Sequence, residues 1–217
     1  MRLFSYKMTH DSGFAPNPYG HTLTLATCKP QIRRLKSVDD WIAGFTSRTL
    51  AGHDVGSERL IYLMRVAEKL PMRDYFSDSR FQDKIPDMSA RGPMARAGDN
   101  IYRPLRPDAD SWTHFEQLPN RNHWNRDRPN EDHHRRDVSG RYVLIADEFY
   151  YFGGNALDLP PEYRPEVPRG QSGHGKETPW KQARCFVDYI RTRFQPGRDG
   201  DPHRWPKVPD DQGGRCG

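Results

Sequence analysis

The stretch Arg141-Tyr142-Val143-Leu144-Ile145-Ala146 is the clearest β-strand in the chain, because apolar and β-branched residues follow one another without a charge after its first residue. It continues into Asp147-Glu148-Phe149-Tyr150-Tyr151-Phe152-Gly153-Gly154-Asn155. Strand alternation places Phe149 and Tyr151 on one face and Tyr150 and Phe152 on the other. We expect one pair to fill the core and the other to offer a surface on which a base stacks. The alternative is that all four rings pack against the last helix.

Further strands are predicted on the N-terminal side of this stretch. Apolar or alternating segments occur at residues 2–8, 22–26, 41–45 and 60–66. Residues 71–78 favour a short helix, and Thr178 and Pro179 mark the start of an amphipathic helix that extends to residue 194. The pattern predicts an α+β fold that is mostly β, with a mixed sheet or an open barrel and a few flanking helices.

A long polar insertion interrupts this pattern. Residues 103–140 have almost no periodicity and are rich in Asn, Asp, Arg, His and Pro. A loop of this length is usually functional or disordered. We therefore predict a single domain at residues 1–194 that contains this insertion, followed by a disordered tail at residues 195–217, which is rich in Pro and Gly.

Composition excludes several classes of protein. The 217 residues carry 34 Lys and Arg against 29 Asp and Glu, a net charge of +5 that is compatible with nucleic acid. No apolar run approaches the length of a membrane helix, and the first residues do not form a secretory signal, so no membrane association is expected. The 3 cysteines are scattered, which argues against a disulfide framework and favours a cytoplasmic location.

The densest cationic stretch is Lys29-Pro30-Gln31-Ile32-Arg33-Arg34-Leu35-Lys36, which contains no acid. Arginine side chains in such a segment can hold phosphate through charge-assisted hydrogen bonds. A solvated loop explains the same residues equally well.

Two other constellations have ordinary explanations. Cys28 precedes Lys29 in an electropositive setting, but no histidine follows at a diagnostic distance, so we interpret it as a buried cysteine at a strand end. His114, His123, His133 and His134 lie in the insertion without a recognised spacing of metal ligands or of a His-Asn-His nuclease, and we read them as solvated. No phosphate-binding glycine loop or dinucleotide fingerprint is present, so neither a cofactor nor a metal is predicted.

Several ordered segments resemble a known family. They are Arg2-Leu3-Phe4-Ser5-Tyr6, Gly13-Phe14-Ala15-Pro16-Asn17-Pro18, Leu25-Ala26-Thr27-Cys28-Lys29-Pro30-Gln31-Ile32-Arg33, Asp40-Trp41-Ile42-Ala43-Gly44, Gly98-Asp99-Asn100-Ile101-Tyr102 and Glu148-Phe149-Tyr150-Tyr151-Phe152-Gly153. Over residues 1–165 the chain resembles the nucleotide modification associated domain family, second type. This resemblance implies a bacterial or phage protein linked to modified nucleotides in DNA, with no firm activity attached.

A more distant similarity concerns the fold. The chain is similar to modules of the pseudouridine-synthase-and-archaeosine-transglycosylase (PUA) type in the order of its N-terminal segments: a first strand, a basic link, the segment 37–47 and the strand at 60–66. Relatives of these modules receive a modified base in an aromatic pocket. In that pattern Phe45-Thr46-Ser47 ends a central strand and lines the pocket. The chain departs from it by the insertion at 103–140 and by Asp39-Asp40 where a Gly-Asp turn is usual.

The leading hypothesis is a module that binds a modified nucleotide or its base in a system of nucleic-acid modification or defence. Asn17, Ser47, Asn100 and Asn155 would contact polar edges, Trp41 or Tyr151 would stack, and Lys29 with Arg33 would hold phosphate. Tyr102 is included as a further contact beside Asn100. Trp41 also has a competing role as a core residue, because it begins an apolar strand.

Two alternatives remain open from the sequence. The first is an enzyme of base modification, a transferase, glycosylase or hydrolase, in which Glu148 or Asp99 acts as acid or base with a pKa raised by partial desolvation. Their ordinary interpretations are a surface carboxylate and a turn residue. The second alternative is a scaffold for other proteins of a modification or defence gene cluster.

Overall fold

A computed structural model describes residues 1–125, 128–170 and 172–204. The strands are β1 (Leu3–Met8), β2 (Leu23–Leu25), β3 (Trp41–Thr46), β4 (Leu60–Arg65), β5 (Glu68–Pro71), β6 (Tyr102–Pro104), β7 (Phe115–Gln117), β8 (Trp124–Asn125), β9 (Arg128–Pro129), β10 (Tyr142–Ala146), β11 (Phe149–Tyr151), β12 (Lys176–Thr178) and β13 (Gly197–Arg198). The α-helices are α1 (Pro30–Leu35), α2 (Arg48–Ala51), α3 (Met72–Tyr75), α4 (Pro93–Arg96), α5 (Glu131–Val138) and α6 (Trp180–Arg193). Single 3₁₀ turns or helices cover Ser79–Lys84, Trp112–His114, Gly153–Asn155 and Pro161–Tyr163.

The largest sheet has six strands in the order β12-β1-β3-β4-β11-β13. Pairs β1–β3 and β11–β13 are parallel, whereas the other neighbours are antiparallel. A second sheet has the order β2-β10-β5, and two small hairpins, β6–β7 and β8–β9, lie in the insertion. The predicted α+β class is confirmed, and among the described residues the strands form mixed sheets without closing into a barrel.

The two faces of the large sheet have different partners. One face packs against α6 through Ala183, Phe186, Val187 and Ile190. Each of the three larger of these side chains stabilises the fold by about 1.5–3 kcal/mol on burial. The opposite face packs against the three-stranded sheet, whose Leu23, Leu25 and Leu144 share one cluster with it. The core is therefore built as stacked layers, as expected for amphipathic elements with one apolar face each.

A glycine permits the tightest contact inside the large sheet. A Cβ atom on Gly44 of β3 would lie 2.2 Å from the ring of Tyr62 on β4 and 2.6 Å from the sulfur of Met8. The Tyr62 hydroxyl lies 2.7 Å from that of Tyr6, so the close approach also pairs two buried phenols. A larger residue at Gly44 would displace this pair.

The aromatic run after β10 alternates as predicted, but none of its rings offers a stacking surface. Phe149 and Tyr151 belong to the cluster that faces the small sheet, and Tyr150 and Phe152 belong to the cluster that faces α6. All four side chains are at most 4% exposed. The expectation of a free π surface is wrong because both faces of β11 are covered.

Three further expectations are corrected. The basic stretch 29–36 forms α1 and its lead-in, rather than a loop. The insertion contains two hairpins and α5, a helix that the sequence did not predict because its residues are nearly all polar. Part of the predicted tail is ordered, since β13 pairs with β11 and the Arg204 N–H donates to the Asp11 carbonyl at 2.9 Å. Residues 205–217 lie outside the described residues.

Helix α6 begins one residue later than its predicted start. Pro179 occupies the N-cap position, and Trp180 is the first helical residue. Thr178 instead ends β12, and its hydroxyl accepts a hydrogen bond from the Glu166 N–H at 3.2 Å. Across the described residues, no helix combines the length and the apolar character needed to cross a bilayer.

Candidate functional site

A cavity of about 860 Å³ lies where the chain leaves β1, enters α1 and passes through the insertion. Its walls come from six parts of the chain: the segment after β1, the turn before α1 with the start of that helix, residues 121–123, α5, Gly173 and Arg204. The volume falls within the range of small-molecule sites, which is roughly 300–1,000 Å³. The cavity is therefore large enough for a nucleotide.

Positive charge dominates the cavity wall. Lys29, Arg121, Arg136 and Arg204 line it, and Asp11 is the one carboxylate among the described residues of the lining. Within the described residues none of these four cations forms an ion pair. Burial lowers the pKa of Lys29, whose ammonium nitrogen lies 4.4 Å from the centre of the Tyr6 ring. This wall attracts an anionic ligand.

Within the described residues Asp11 forms no ion pair with any of these four cations, and its carboxylate has other partners. One oxygen accepts a hydrogen bond from the Tyr151 hydroxyl at 2.5 Å. The other oxygen lies 2.9 Å from His203 Nδ1 and also accepts from the His203 N–H at 3.1 Å. The Asp11 side chain is 1% exposed, so it contributes little accessible surface to the cavity that it lines.

A thiol, an imidazole and a carboxylate lie in a row at one side of the cavity. Cys28 Sγ is 3.4 Å from His123 Nε2, although 95 positions separate the two residues. His123 Nδ1 lies 2.9 Å from Asp137 Oδ2, and these two side chains are 4% and 0% exposed. This is the arrangement of nucleophile, base and orienting acid used in nucleophilic catalysis.

Asp137 holds both of the other members. Its Oδ1 accepts a hydrogen bond from the Cys28 backbone N–H at 2.8 Å, and its Oδ2 accepts from the Tyr102 hydroxyl at 2.9 Å. Burial acts to raise the pKa of Asp137, but contacts with His123, Arg33 and Tyr102 outweigh it and lower the pKa. The carboxylate is therefore ionised at neutral pH.

The backbone at Cys28 is held in an uncommon conformation. Cys28 has φ 53° and Lys29 has φ 38°, both in the left-handed region that non-glycine residues rarely adopt. The fully buried Arg33 fixes this turn: its guanidinium donates to the carbonyls of Cys28 at 2.8 Å, Tyr142 at 2.9 Å and Asp137 at 2.5 Å. The turn directs the Cys28 side chain into the lining of the cavity.

The environment of His123 favours its charged form. Burial alone would lower the pKa of His123, but the contacts with Asp137 and Cys28 outweigh burial and raise it to about 9. His133 packs edge-on at 4.4 Å between ring centres, and burial together with the charge of His123 lowers the pKa of His133. The pair thus places an imidazolium beside the thiol and a neutral ring beside the imidazolium.

Three of the residues predicted from sequence lie at or behind this cavity. Lys29 lines it, Tyr102 supports Asp137, and Tyr151 supports Asp11. Arg33 is close in space, but three backbone carbonyls occupy its guanidinium and the side chain is 0% exposed. The structure therefore assigns Arg33 to the support of the turn and does not bring it to a phosphate.

The structure does not bring the other predicted residues to this cavity. They are Asn17, bonded to the Ala97 carbonyl and to Lys84; Trp41, packed beneath α6; Ser47, the N-cap of α2; Asn100, bonded to the Phe81 carbonyl; and Asn155, exposed and bonded to the Asp199 carbonyl. Most of these amides and hydroxyls satisfy buried backbone groups, which is the usual role of an interior polar side chain.

The two carboxylates considered as acids or bases also have structural partners. Glu148 accepts two hydrogen bonds from Arg191 at 2.6 and 2.7 Å, and this contact lowers its pKa, so the expected upward shift is wrong. Burial does raise the pKa of Asp99, as expected. However, its oxygens accept from Tyr75 at 2.8 Å and Thr24 at 2.7 Å, and the side chain lies beneath the surface at 1% exposure.

Sequence reasoning missed the partners of Cys28. His123 and Asp137 stand in the aperiodic insertion, and no local spacing connects them to Cys28. The available signal was a cysteine two residues past the predicted strand at 22–26 and directly before Lys29-Pro30, in a link from a strand to a helix that can expose one side chain. Across the described residues no cluster of three or more His, Cys, Asp or Glu side chains is arranged to hold a metal.

Comparison with known proteins places the chain in a family. The family model of nucleotide modification associated domain 2 matches residues 1–208, so the chain belongs to that family. Neither the curated proteins nor the solved structures include a significant match. Membership associates the domain with nucleic-acid modification systems.

Proposed function

We propose that this member of the family binds a modified nucleotide or its base in the cavity between α1, α5 and the segment after β1. The observation that carries the proposal is the group of four cations in a cavity of about 860 Å³. A cavity built for an uncharged metabolite has no need of so many cations without carboxylate partners. Phosphate is the anion that accompanies every nucleotide.

The arginines suit phosphate better than a simple charge would. Arg121 comes from the segment after β7, Arg136 from α5 and Arg204 from the segment after β13, so three separate parts of the chain bring a guanidinium to the cavity. A guanidinium offers paired N–H donors to phosphate oxygens. Their separate origins allow contact with more than one face of the same group.

Groups able to recognise a base line the same cavity. Met8 and Phe14 supply apolar surface, and Gln31 supplies an exposed side-chain amide on α1. Phe14 is held edge-on against His123 at 4.8 Å between ring centres. Apolar walls with a few polar groups are typical of sites that discriminate between related small molecules.

The wider role follows from the family. We place the protein in a bacterial or phage system of DNA modification or defence, where a nucleotide in free form or in a strand is the ligand. Other proteins of the same gene cluster are its proposed partners. A cytoplasmic location belongs to the same proposal, since Cys28 and Cys185 are free thiols, which are typical of a reducing compartment.

The test is a ligand screen with matched charge variants. Thermal shift and calorimetry would compare nucleosides with their monophosphates, canonical and hydroxymethylated, on wild type, Arg121→Gln and Arg136→Gln. Arg34→Gln is the control, because Arg34 is exposed on α1 outside the cavity lining. We expect each cavity variant to weaken monophosphate binding by about tenfold, equivalent to about 1.4 kcal/mol. Unchanged affinity in both variants, or equal shifts with every polyanion, would overturn the proposal.

A further inference from the structure

We propose that Cys28 is a catalytic nucleophile, that His123 is its general acid and base, and that the cavity cleaves an acyl group carried by a modified nucleotide. The substrate class is an amide or ester on a nucleotide, and this part rests on the proposed function. Asp137 is a positioning residue, because it acts through His123 and the backbone of Cys28.

Cys28, His123 and Asp137 are already close enough for nucleophilic catalysis, so the backbone does not have to move. The 3.4 Å between Cys28 Sγ and His123 Nε2 allows direct proton exchange once substrate tightens the site. Asp137 Oδ2 lies 2.9 Å from His123 Nδ1, so the opposite ring nitrogen, Nε2, is the one that faces the sulfur. A merely structural cysteine has no use for a histidine held in this way.

The conformation of the turn is a second, independent observation. Two consecutive non-glycine residues, Cys28 and Lys29, have positive φ angles of 53° and 38°, a conformation that L-residues rarely adopt. The Cys28 N–H donates to Asp137 and the Cys28 carbonyl accepts from Arg33, and these two hydrogen bonds maintain that conformation. Strained backbone that surrounding residues maintain is characteristic of functional sites.

The sulfur is available to a ligand. Cys28 is half-buried and lines the cavity, whereas Cys185 is exposed on α6, and both thiols are free. His123 Nε2 lies 3.4 Å from the sulfur and can take its proton, which leaves the thiolate, the form that attacks. Lys29 adds a positive charge at the same turn.

Each step balances. The Cys28 thiolate attacks the acyl carbonyl and forms a C–S bond, and His123 gives its Nε2 proton to the leaving amine or alcohol as the C–N or C–O bond breaks. The product of this half is a thioester on Cys28 and a nucleotide without its acyl group. Water from solvent then attacks the thioester while His123 removes a proton, and a carboxylic acid and the thiol are regenerated.

The need for a proton relay favours acyl chemistry over direct attack of the thiol on a base. An amine or alkoxide leaves from a tetrahedral intermediate only when it receives a proton, and His123 can supply one. Attack on a ring carbon would form a thioether and has no leaving group at that step. The two products differ chemically, because hydroxylamine cleaves a thioester and leaves a thioether intact.

The experiment uses p-nitrophenyl acetate as the acyl probe and intact-mass spectrometry as the readout. We expect one acetyl group on Cys28 of the wild-type protein, released by hydroxylamine, and none on that site in Cys28→Ser. Cys185→Ser is the matched control and should label like wild type. His123→Gln should slow acetylation by at least about 10²-fold, the usual contribution of a general base.

Further measurements keep the outcome decisive. Asp137→Asn keeps the nucleophile Cys28, but it should flatten the pH dependence of the acetylation rate. Circular dichroism shows whether each variant is folded. Equal acetylation of wild type and a folded His123→Gln, or labelling at Cys185 in preference to Cys28, would overturn the proposal. A hydroxylamine-resistant adduct with a nucleotide would overturn the acyl class.

The two proposals fail separately. If wild type binds monophosphates and Arg121→Gln and Arg136→Gln weaken that binding, but Cys28 reacts no faster than Cys185, the binding proposal stands and the catalytic proposal is lost. If Cys28 is acetylated in a His123-dependent manner but no nucleotide binds, the nucleophile stands and its nucleotide substrate class is lost.

Discussion

The Asp137 carboxylate accepts a hydrogen bond from the backbone N–H of Cys28 at 2.8 Å, across 109 positions of sequence. The same side chain is fully buried and also contacts His123 and Tyr102. It thereby joins the turn before α1 to the end of α5. The turn, His123 and Tyr102 therefore share this one carboxylate as a partner.

Asp137→Ala should therefore lower the free energy of unfolding by about 3–5 kcal/mol, because it leaves a buried cationic partner and two buried donors unmatched. Urea denaturation followed by circular dichroism measures the change. Asp132→Ala is the control: Asp132 is exposed in the first turn of the same helix, and its loss should be worth less than about 1 kcal/mol. Equal effects of the two variants would contradict the assigned role.

Arg33→Lys should destabilise the protein by about 2–4 kcal/mol, since an ammonium cannot reproduce the planar fork that serves three carbonyls. Arg34→Lys, on the exposed side of α1, should stay within about 0.5 kcal/mol of wild type. The denaturation midpoints of the two variants provide the comparison. A wild-type midpoint for Arg33→Lys would show that the three contacts contribute nothing.

Gly140→Ala should destabilise through the same guanidinium. A Cβ atom at position 140 would lie 2.5 Å from Arg33 Cζ, which the three hydrogen bonds hold in place. We expect a loss of about 1–3 kcal/mol, as for other overpacked interiors. In an Arg33→Met background the same substitution should cost less, so a double-mutant cycle measures the coupling. Additive effects would argue against the contact.

Stability should fall as pH rises from about 6.5 to about 9. The pKa of His123 is raised to about 9 in the fold, above its ordinary value of about 6.5, so the fold binds a proton that the unfolded chain releases. This contribution, about 3 kcal/mol, is complete below pH 6.5 and is lost above pH 9. The charged and titratable groups that face His123 are Cys28, Asp137 and His133.

Urea midpoints across this pH range measure the loss, and His123→Gln serves as the reference. That variant should lack most of the slope, because it removes the titrating group. An identical slope in both proteins would assign the pH dependence to other residues.

Glu148→Gln should leave monophosphate binding unchanged. Glu148 pairs with Arg191 on α6, and α6 covers the face of the large sheet that is turned away from the three-stranded sheet. The side chain of Glu148 is 20% exposed and that of Arg191 is 43% exposed. A partly exposed pair of this kind contributes no more than about 1 kcal/mol to stability. Calorimetry with the ligand identified by the screen tests this, and a tenfold loss of affinity would return Glu148 to the site.

Local patterns predicted most of the large sheet. β1, β3, β4, β10 and α6 all occur within one or two residues of their predicted bounds, because alternation and helical periodicity report which face of an element is buried. Helix α5 escaped this reasoning: its sequence, EDHHRRDV, has one apolar residue and no stripe to detect. It is stable because His134, Asp137 and Val138 find buried partners contributed by distant segments.

In the candidate site, too, some features follow from the sequence alone and others only from the tertiary structure. Sequence alone determined the family, the α+β class, the strand that leads to Cys28 and the electropositive turn around it, since these properties reside in contiguous residues. Only the tertiary structure decided that Arg33 supports a turn, that the aromatic run lies in the core, and that His123 and Asp137 meet Cys28. Such meetings depend on how separate elements pack, and no short-range spacing encodes the distance between side chains that the chain brings together from 95 residues apart.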